Sequence, residues 1–115
     1  KEAVKAAEEL KKEGIEVELI DLRTIRPLDI DTILKSVKKT NRLVILEESW
    51  PFGNISTEIS YQVQNNVFDY LDAPIEKINT ADTPAPYSPV LLNEWLPNYK
   101  DVINSINKVL YRKSK

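Results

Sequence analysis

The 115-residue chain contains neither histidine nor cysteine. Their absence excludes Ser-His-Asp and Cys-His nucleophilic sites, a histidine general base and every Cys/His zinc site. Carboxylates, lysines and tyrosines can still transfer protons, but the sequence has no Asp-x-Asp-x-Asp loop of the calcium-binding type. Little self-contained catalytic chemistry therefore remains, and we predict no catalytic or metal-ligating residue in this chain. Without cysteine, disulfide usage does not indicate a compartment.

Glycine, long apolar runs and excess positive charge are scarce or absent as well. The two glycines, Gly14 and Gly53, cannot build a Gly-rich nucleotide-binding loop. The longest apolar runs have about four residues, whereas a membrane-spanning helix needs roughly 20. Acidic and basic residues are interspersed with a net charge of −2, so the chain lacks the basic face of a nucleic-acid-binding or membrane-surface protein. We expect no nucleic-acid partner and no membrane association.

Length and composition predict one small globular domain over residues 1–115. An apolar fraction of 42% and a charged fraction of 30% are ordinary for soluble proteins, and a chain of this length can enclose one core. The sequence opens directly in a charged helical segment, so we predict no signal peptide, and the residues themselves indicate no compartment.

Apolar periodicity predicts the element order α-β-α-β-α-β-loop-α. Residues that begin or end the predicted helices are Gly14, Asp29, Asn41, Asn98 and either Asn54 or Ser56. Strands are predicted at residues 15–22, 43–46 and 75–78. Residues 80–98 contain too many prolines for a helix or a central strand. This order is typical of an α/β fold with three layers, α/β/α, around a mostly parallel sheet.

An α/β order of this kind normally begins with a strand, whereas this sequence opens with a helix. We therefore expect the first strand to be missing and the chain to be an N-terminally truncated fragment of a larger subunit. An exposed sheet edge or a cleft should mark the place of that strand. Such an edge favours self-association.

The apolar run at residues 43–46 ends in the segment EESWPFG at residues 47–53, the most distinctive part of the chain. Ligands and partners of open α/β sheets gather beyond the carboxyl ends of the strands. Trp50 and Phe52 can therefore contact a partner chain, or they can cover the core of this domain. Glu47 and Glu48 point to opposite sides of an extended chain, which argues against a paired acid and base.

Two further groups are candidates for contacts. Arg23 and Arg26 follow the strand predicted at residues 15–22. We expect them to form structural ion pairs with Glu47 or Glu48, which follow the next strand. The alternative is that they fix loops at a subunit boundary. Tyr87 and Trp95 lie in the proline-rich stretch, where we predict contacts with another chain and no chemistry.

Four segments carry a resemblance to a known family. They are IDLRTIRPLD at residues 20–29, EESWPFG at 47–53, FDYLDAP at 68–74 and ADTPAPY at 81–87. In this order they resemble the C-terminal, transketolase-type domain of pyruvate dehydrogenase beta subunits, and the match covers almost the whole chain. The first segment is shared across transketolase-like enzymes. The combination of EE-x-WP with YLDAP favours the pyruvate enzyme over branched-chain 2-oxoacid dehydrogenases.

The resemblance implies an activity that belongs to a larger assembly. In this family an alpha2-beta2 heterotetramer binds thiamine diphosphate and magnesium between the alpha subunit and the N-terminal domain of the beta subunit. It decarboxylates pyruvate and acetylates the lipoyl group of dihydrolipoyl acetyltransferase. The C-terminal domain contributes contacts with the alpha subunit and the second beta subunit, and it docks the acetyltransferase. An isolated fragment would be inactive and bind neither cofactor. The implied location is the mitochondrial matrix or the bacterial cytoplasm, without secretion.

One residue role follows from the resemblance. Asp72, in the segment LDAP, matches the family aspartate that faces basic residues of the subunit-binding domain of the acetyltransferase. The simpler alternative is that Asp72 caps the turn before Pro74. The family also uses its terminal carboxylate for docking, whereas residues 111–115, YRKSK, are basic here.

Two other functions remain open at this point. The chain can belong to a different transketolase-like enzyme, such as a branched-chain 2-oxoacid dehydrogenase or a deoxyxylulose phosphate synthase. It can also be a free-standing α/β interaction module, although such a module would have to bind its ligand without a Gly-rich phosphate loop.

Overall fold

Helices and short strands alternate along the chain, as a computed structural model that describes residues 1–112 shows. The helices are α1 (Glu2–Lys12), α2 (Ile30–Thr40), α3 (Ile55–Val67), α4 (Pro89–Trp95) and α5 (Tyr99–Val109), with a 3-10 turn at Phe68–Tyr70. The strands are β1 (Val44–Leu46) and β2 (Glu76–Ile78). The basic end predicted at residues 111–115 lies partly outside the described residues.

The predicted helix ends are confirmed because their capping side chains form the expected hydrogen bonds. Asp29 accepts from the backbone at the start of α2, and Asn54 does so for α3. At α5, Asn98 and Asp101 form a reciprocal capping box, in which the two side chains accept the backbone N–H groups of Asn98, Lys100 and Asp101. Asn41 ends α2 in the left-handed conformation, with φ of 65°. These local signals fix where three of the helices begin.

The two strands form a parallel pair, with Val44 opposite Glu76 and Leu46 opposite Ile78. Val44 and Leu46 pack against one hydrophobic cluster, whereas Ile45 packs against the other, because successive side chains of a strand point to opposite faces. The α1/α5 cluster consists of Ala6, Leu10, Ile78, Val102 and Ile106. The α2/α3 cluster consists of Ile33, Val37, Ile59, Val63 and Val67. Helical layers therefore cover both faces of the sheet, as the three-layer α/β/α prediction requires.

Residues 15–22 do not form the predicted strand. The apolar pattern does identify side chains that face the core, since Ile15 and Val17 pack against the α1/α5 cluster and Leu22 against the α2/α3 cluster. Among the described residues, however, positions 16–22 share no backbone hydrogen bond with β1 or with any other segment. A strand is defined by its ladder to a neighbour, and an apolar pattern cannot supply that neighbour.

The proline-rich stretch also differs from its prediction, because it contains the helix α4. Pro89 is the first residue of this helix, where its fixed φ is suitable and its missing N–H would be unbonded in any case. Pro84 and Pro86 lie before the helix and Pro97 lies after it, so no proline interrupts it. The number of prolines was therefore a poorer guide than their positions.

A groove of about 780 Å³ separates residues 15–22 from β1. Its lining is largely apolar and includes side chains from both hydrophobic clusters, among them Ile59 and Ile106. This groove matches the cleft that the element order predicts beside the sheet. Within residues 1–112, no helix combines the length and apolar character that crossing a membrane requires.

Candidate functional site

Asp72 lies in the connection between the 3-10 turn and β2, where the backbone holds it and leaves its carboxylate open. Its N–H donates to the carbonyl of Asn41 at 2.8 Å, which ties it to the end of α2. Its Oδ2 lies 3.9 Å from Nη1 of Arg42, and 57% of the side chain is exposed. In the described part of the chain this carboxylate caps no backbone N–H group. Asp72 is thus positioned for contact with solvent or a partner.

Three segments meet around Asp72. The side-chain amide of Asn41 donates to the carbonyl of Tyr70 at 2.8 Å, and the hydroxyl of Tyr111 donates to the carbonyl of Asp72 at 3.2 Å. Arg42 is held by a bond from its Nε to the carbonyl of a residue at the end of α5, at 3.0 Å. The ends of α2, the 3-10 turn and α5 therefore position the aspartate together.

Exposed aromatic rings flank the carboxylate. Tyr111 is largely exposed and Tyr70 is 44% exposed, and the ammonium of Lys38 lies 5.6 Å from the centroid of the Tyr70 ring. We call Arg42, Tyr70, Asp72 and Tyr111 the Asp72 surface. It combines the Arg42–Asp72 ion pair with aromatic area, and aromatic side chains and arginine are enriched in protein interfaces.

The segment after β1 contributes a second surface. Nε1 of Trp50 donates to the carbonyl of Thr83 at 2.9 Å, and Nε1 of Trp95 donates to the same carbonyl at 2.9 Å. The two indoles therefore meet at one backbone atom. Phe52 is 90% exposed and Tyr87 is fully exposed, so neither covers the core. We call Trp50, Phe52, Tyr87 and Trp95 the aromatic surface.

Backbone and lysine contacts fix the two loops that carry the aromatic surface. The N–H of Thr80 donates to the carbonyl of Ser49 at 2.9 Å, and the N–H of Ala81 donates to the carbonyl of Trp95 at 3.2 Å. Nζ of Lys77 donates to the carbonyl of Pro51 at 2.8 Å. The loops that follow β1 and β2 are thus joined to each other and to α4, which presents their aromatic rings on a fixed frame.

The ion pairs expected between the arginines and the glutamates are not formed among the described residues. Arg23 and Arg26 are exposed and lie in none of the ion pairs there, and Glu48 is exposed as well. Glu47 instead accepts the N–H of Ser56 at 2.8 Å, together with the hydroxyl of Ser49. A carboxylate at a helix N-terminus is stabilised by the unbonded N–H groups and by the helix dipole. Glu47 therefore stabilises the N-terminus of α3.

Metal sites and phosphate-binding loops have recognisable residue patterns, and the described residues can be compared with both. Residues 1–112 contain no group of three or more His, Cys, Asp or Glu side chains placed to hold a metal ion. With glycines only at positions 14 and 53, no Gly-rich loop cradles a phosphate. The described residues therefore offer neither a carboxylate cluster for magnesium nor a Gly-rich loop for a diphosphate.

Comparison with known proteins decides the family. The family model described as the transketolase, C-terminal domain matches residues 1–102. The chain belongs to the transketolase C-terminal domain family. The α/β architecture and the resemblance noted in the sequence are thereby confirmed.

This transketolase C-terminal domain is similar over nearly its whole length to proteins named pyruvate dehydrogenase E1 component subunit beta. It is 50% identical to the Rhizobium meliloti (strain 1021) protein over 110 residues, which are 96% of this chain and 24% of the relative. Identity to the Rickettsia bellii (strain RML369-C) protein is 51% over 111 residues, 96% of this chain and 34% of the relative. The mitochondrial protein of Dictyostelium discoideum is 49% identical over 109 residues, 95% of this chain and 31% of the relative. The chain spans about a quarter to a third of the length of these relatives.

Sequence reasoning missed several residues of both surfaces. Arg42 and Tyr111 are distant in sequence from Asp72, and Thr83 joins the two tryptophans through its carbonyl, which carries no side-chain signal. An exposed tyrosine after the last helix is a weak sequence hint for Tyr111. No sequence pattern identifies the carbonyl of Thr83.

Proposed function

We propose that this domain is the C-terminal part of a pyruvate dehydrogenase beta subunit, where it serves subunit assembly and docking of dihydrolipoyl acetyltransferase. The observation that supports this proposal best is identity of about 50% to proteins of that name over about 96% of the chain. Because those relatives are named for pyruvate, they favour pyruvate over a branched-chain 2-oxoacid as the substrate of the whole enzyme. The presence of a family match also favours this function over a free-standing interaction module.

The whole enzyme in this proposal is an oxidoreductase that decarboxylates pyruvate and acetylates the lipoyl group of the acetyltransferase. Thiamine diphosphate and magnesium belong to parts of the enzyme outside this chain. The partners are the alpha subunit, a second beta subunit and the acetyltransferase. Relatives include bacterial proteins and proteins named mitochondrial, so the compartment is the bacterial cytoplasm or the mitochondrial matrix, according to the source.

Asp72 is the residue of this domain that we assign to acetyltransferase docking. Its carboxylate is more than half exposed, and the distance of 3.9 Å to Arg42 leaves room for a second cationic partner. A rim carboxylate of this kind steers a basic surface toward the site and fixes its orientation. Tyr70 and Tyr111 supply aromatic contact area beside the charge.

The aromatic surface is the proposed contact with another subunit of the tetramer. Phe52 and Tyr87 are too exposed for residues that stabilise only this domain, and their loops are held by backbone hydrogen bonds. Aromatic side chains on a rigid frame lose little conformational entropy when a partner covers them. We assign Trp50, Phe52, Tyr87 and Trp95 to contact with the second beta subunit.

The docking role is tested by binding of the acetyltransferase subunit-binding domain to the assembled alpha2-beta2 enzyme. Asp72→Asn should weaken binding about two- to fivefold at low salt, because a partly exposed charge pair contributes up to about 1 kcal/mol. The salt dependence of the affinity should become shallower, since one charge pair is lost.

Asp69→Asn is the matched control for this experiment. Asp69 is also exposed and lies three residues earlier, in the 3-10 turn. Its substitution should leave the affinity within the error of the measurement. If both variants bind equally to wild type in a correctly assembled tetramer, Asp72 has no role in docking.

A further inference from the structure

Arg42 lies beside Asp72 and is held there by a bond to a third segment. Its Nε donates to the carbonyl of Val109, the last residue of α5, at 3.0 Å, and its side chain is only 32% exposed. Asp72 is held separately, because its N–H donates to the carbonyl of Asn41 and its carbonyl accepts from the hydroxyl of Tyr111. Contacts with the backbone therefore fix the positions of both charges.

The two charges are close, but no hydrogen bond joins them. Nη1 of Arg42 lies 3.9 Å from Oδ2 of Asp72, farther than the roughly 2.8 Å of a charge-assisted hydrogen bond. Within residues 1–112, no second carboxylate lies at ion-pair distance from Arg42 and no second cation from Asp72. Arg42 thus neutralises the charge of Asp72 without occupying its hydrogen-bonding positions.

A neutral pair of charges is a poor attractor for a basic partner. At a distance the fields of the two charges largely cancel, so the pair steers a cation less than a lone carboxylate would. At contact, a cation that reaches Asp72 also comes close to the guanidinium of Arg42, and like charges repel. Arg42 cannot turn away without losing its bond to Val109. The arginine therefore opposes both the encounter with a basic partner and its docking.

We propose that Arg42 is an intramolecular counter-ion that competes with basic partners for Asp72 and so determines the selectivity of the docking site. This inference rests on the docking role proposed above for Asp72. A partner with a single cation exchanges one ion pair for another and gains little. A partner with several basic residues, or with apolar groups that cover Tyr70 and Tyr111, gains more than the repulsion costs. A repulsive group beside an attractive one is a general means of rejecting weaker partners.

Binding of the acetyltransferase subunit-binding domain to the assembled alpha2-beta2 enzyme tests this proposal. Arg42→Gln removes the positive charge and retains a side-chain hydrogen-bond donor. It should tighten binding about two- to fivefold at low salt, the range expected for one partly exposed charge pair. The association rate should rise and the affinity should depend more steeply on salt, since the carboxylate is no longer neutralised. Unchanged or weaker binding would show that Arg42 does not compete.

Two further variants assign the effect to the charge at this position. Arg42→Met keeps the apolar stem and should tighten binding as Arg42→Gln does, and it serves in its place if that variant does not assemble. Arg23→Gln is the matched control, because it makes the same charge change at an exposed residue before α2, whereas Arg42 follows α2. A helix of this length separates the two sites by roughly 16 Å. Arg23→Gln should bind as wild type, and tightening of the same size would overturn the proposal.

A double variant distinguishes competition for Asp72 from a general change in charge. When Asp72→Asn has removed the carboxylate, Arg42→Gln should tighten binding less than it does in the wild-type background. Equal gains in the two backgrounds would overturn the proposal. If Asp72→Asn alone binds as wild type, the docking role is wrong and the competition with it. If Asp72→Asn weakens binding and Arg42→Gln does not tighten it, only the competition is wrong.

Discussion

At the scale of single residues, Glu47 shows how position changes the meaning of a side chain. Its place after an apolar strand predicts an ion pair with an arginine, yet its carboxylate accepts the N–H of Ser56 in the first turn of α3. This hydrogen bond matters for stability because Ser56 is fully buried, so water cannot replace Glu47 as the acceptor of its N–H. Glu48, one residue later, is exposed. Neighbouring glutamates therefore differ in what they contribute to stability.

Glu47→Ala should lower the free energy of unfolding by about 1–3 kcal/mol, because it leaves the buried N–H of Ser56 without its acceptor. Urea denaturation followed by circular dichroism measures the change. Glu48→Ala is the control and should stay within about 0.5 kcal/mol of wild type. Equal losses in the two variants would show that the bond to Ser56 contributes nothing.

At the scale of elements, the accuracy of the sequence predictions depended on whether a signal was local. Asp29, Asn54 and Asn98 cap the helices that they were predicted to cap, because a cap involves residues only two or three positions apart. Residues 15–22 lack their predicted ladder, which depends on another segment. The Thr83 carbonyl that orders the aromatic surface depends on two distant loops. Asp72 was found by family resemblance, whereas its Arg42 and Tyr111 contacts required the fold.

Asn98→Ala should cost about 1 kcal/mol of unfolding free energy, because it removes the side-chain acceptor of the capping box of α5. The loss should appear in global denaturation, since α5 packs against α1 and the sheet. Asn104→Ala, at an exposed position in the middle of α5, should be neutral or slightly stabilising, because alanine is the better helix former. A destabilising Asn104→Ala of the same size would argue against a specific capping effect.

At the scale of the whole molecule, a narrow sheet joins two hydrophobic clusters. Adjacent residues of β1 pack against different clusters, so the layers cannot separate without breaking the same short strand. We therefore expect the two helical layers to unfold in one cooperative transition, as is usual for domains of this size.

Leu10→Ala in the α1/α5 cluster and Ile59→Ala in the α2/α3 cluster should each cost about 2–5 kcal/mol, because both side chains are almost fully buried. Each variant should shift a single denaturation midpoint. Val90→Ala, on an exposed part of α4, should change stability by less than about 0.5 kcal/mol. Two separate transitions in either core variant would show that the layers unfold independently.

The hydrogen bonds of both indoles to the carbonyl of Thr83 also determine what the tryptophan fluorescence of this protein measures. The chain has two tryptophans, and both lie at the aromatic surface instead of in either cluster. Intrinsic emission therefore records the state of the two loops and any subunit that covers them. A partner that covers the aromatic surface would change this emission without any attached dye, whereas the two hydrophobic clusters contain no tryptophan that contributes to it.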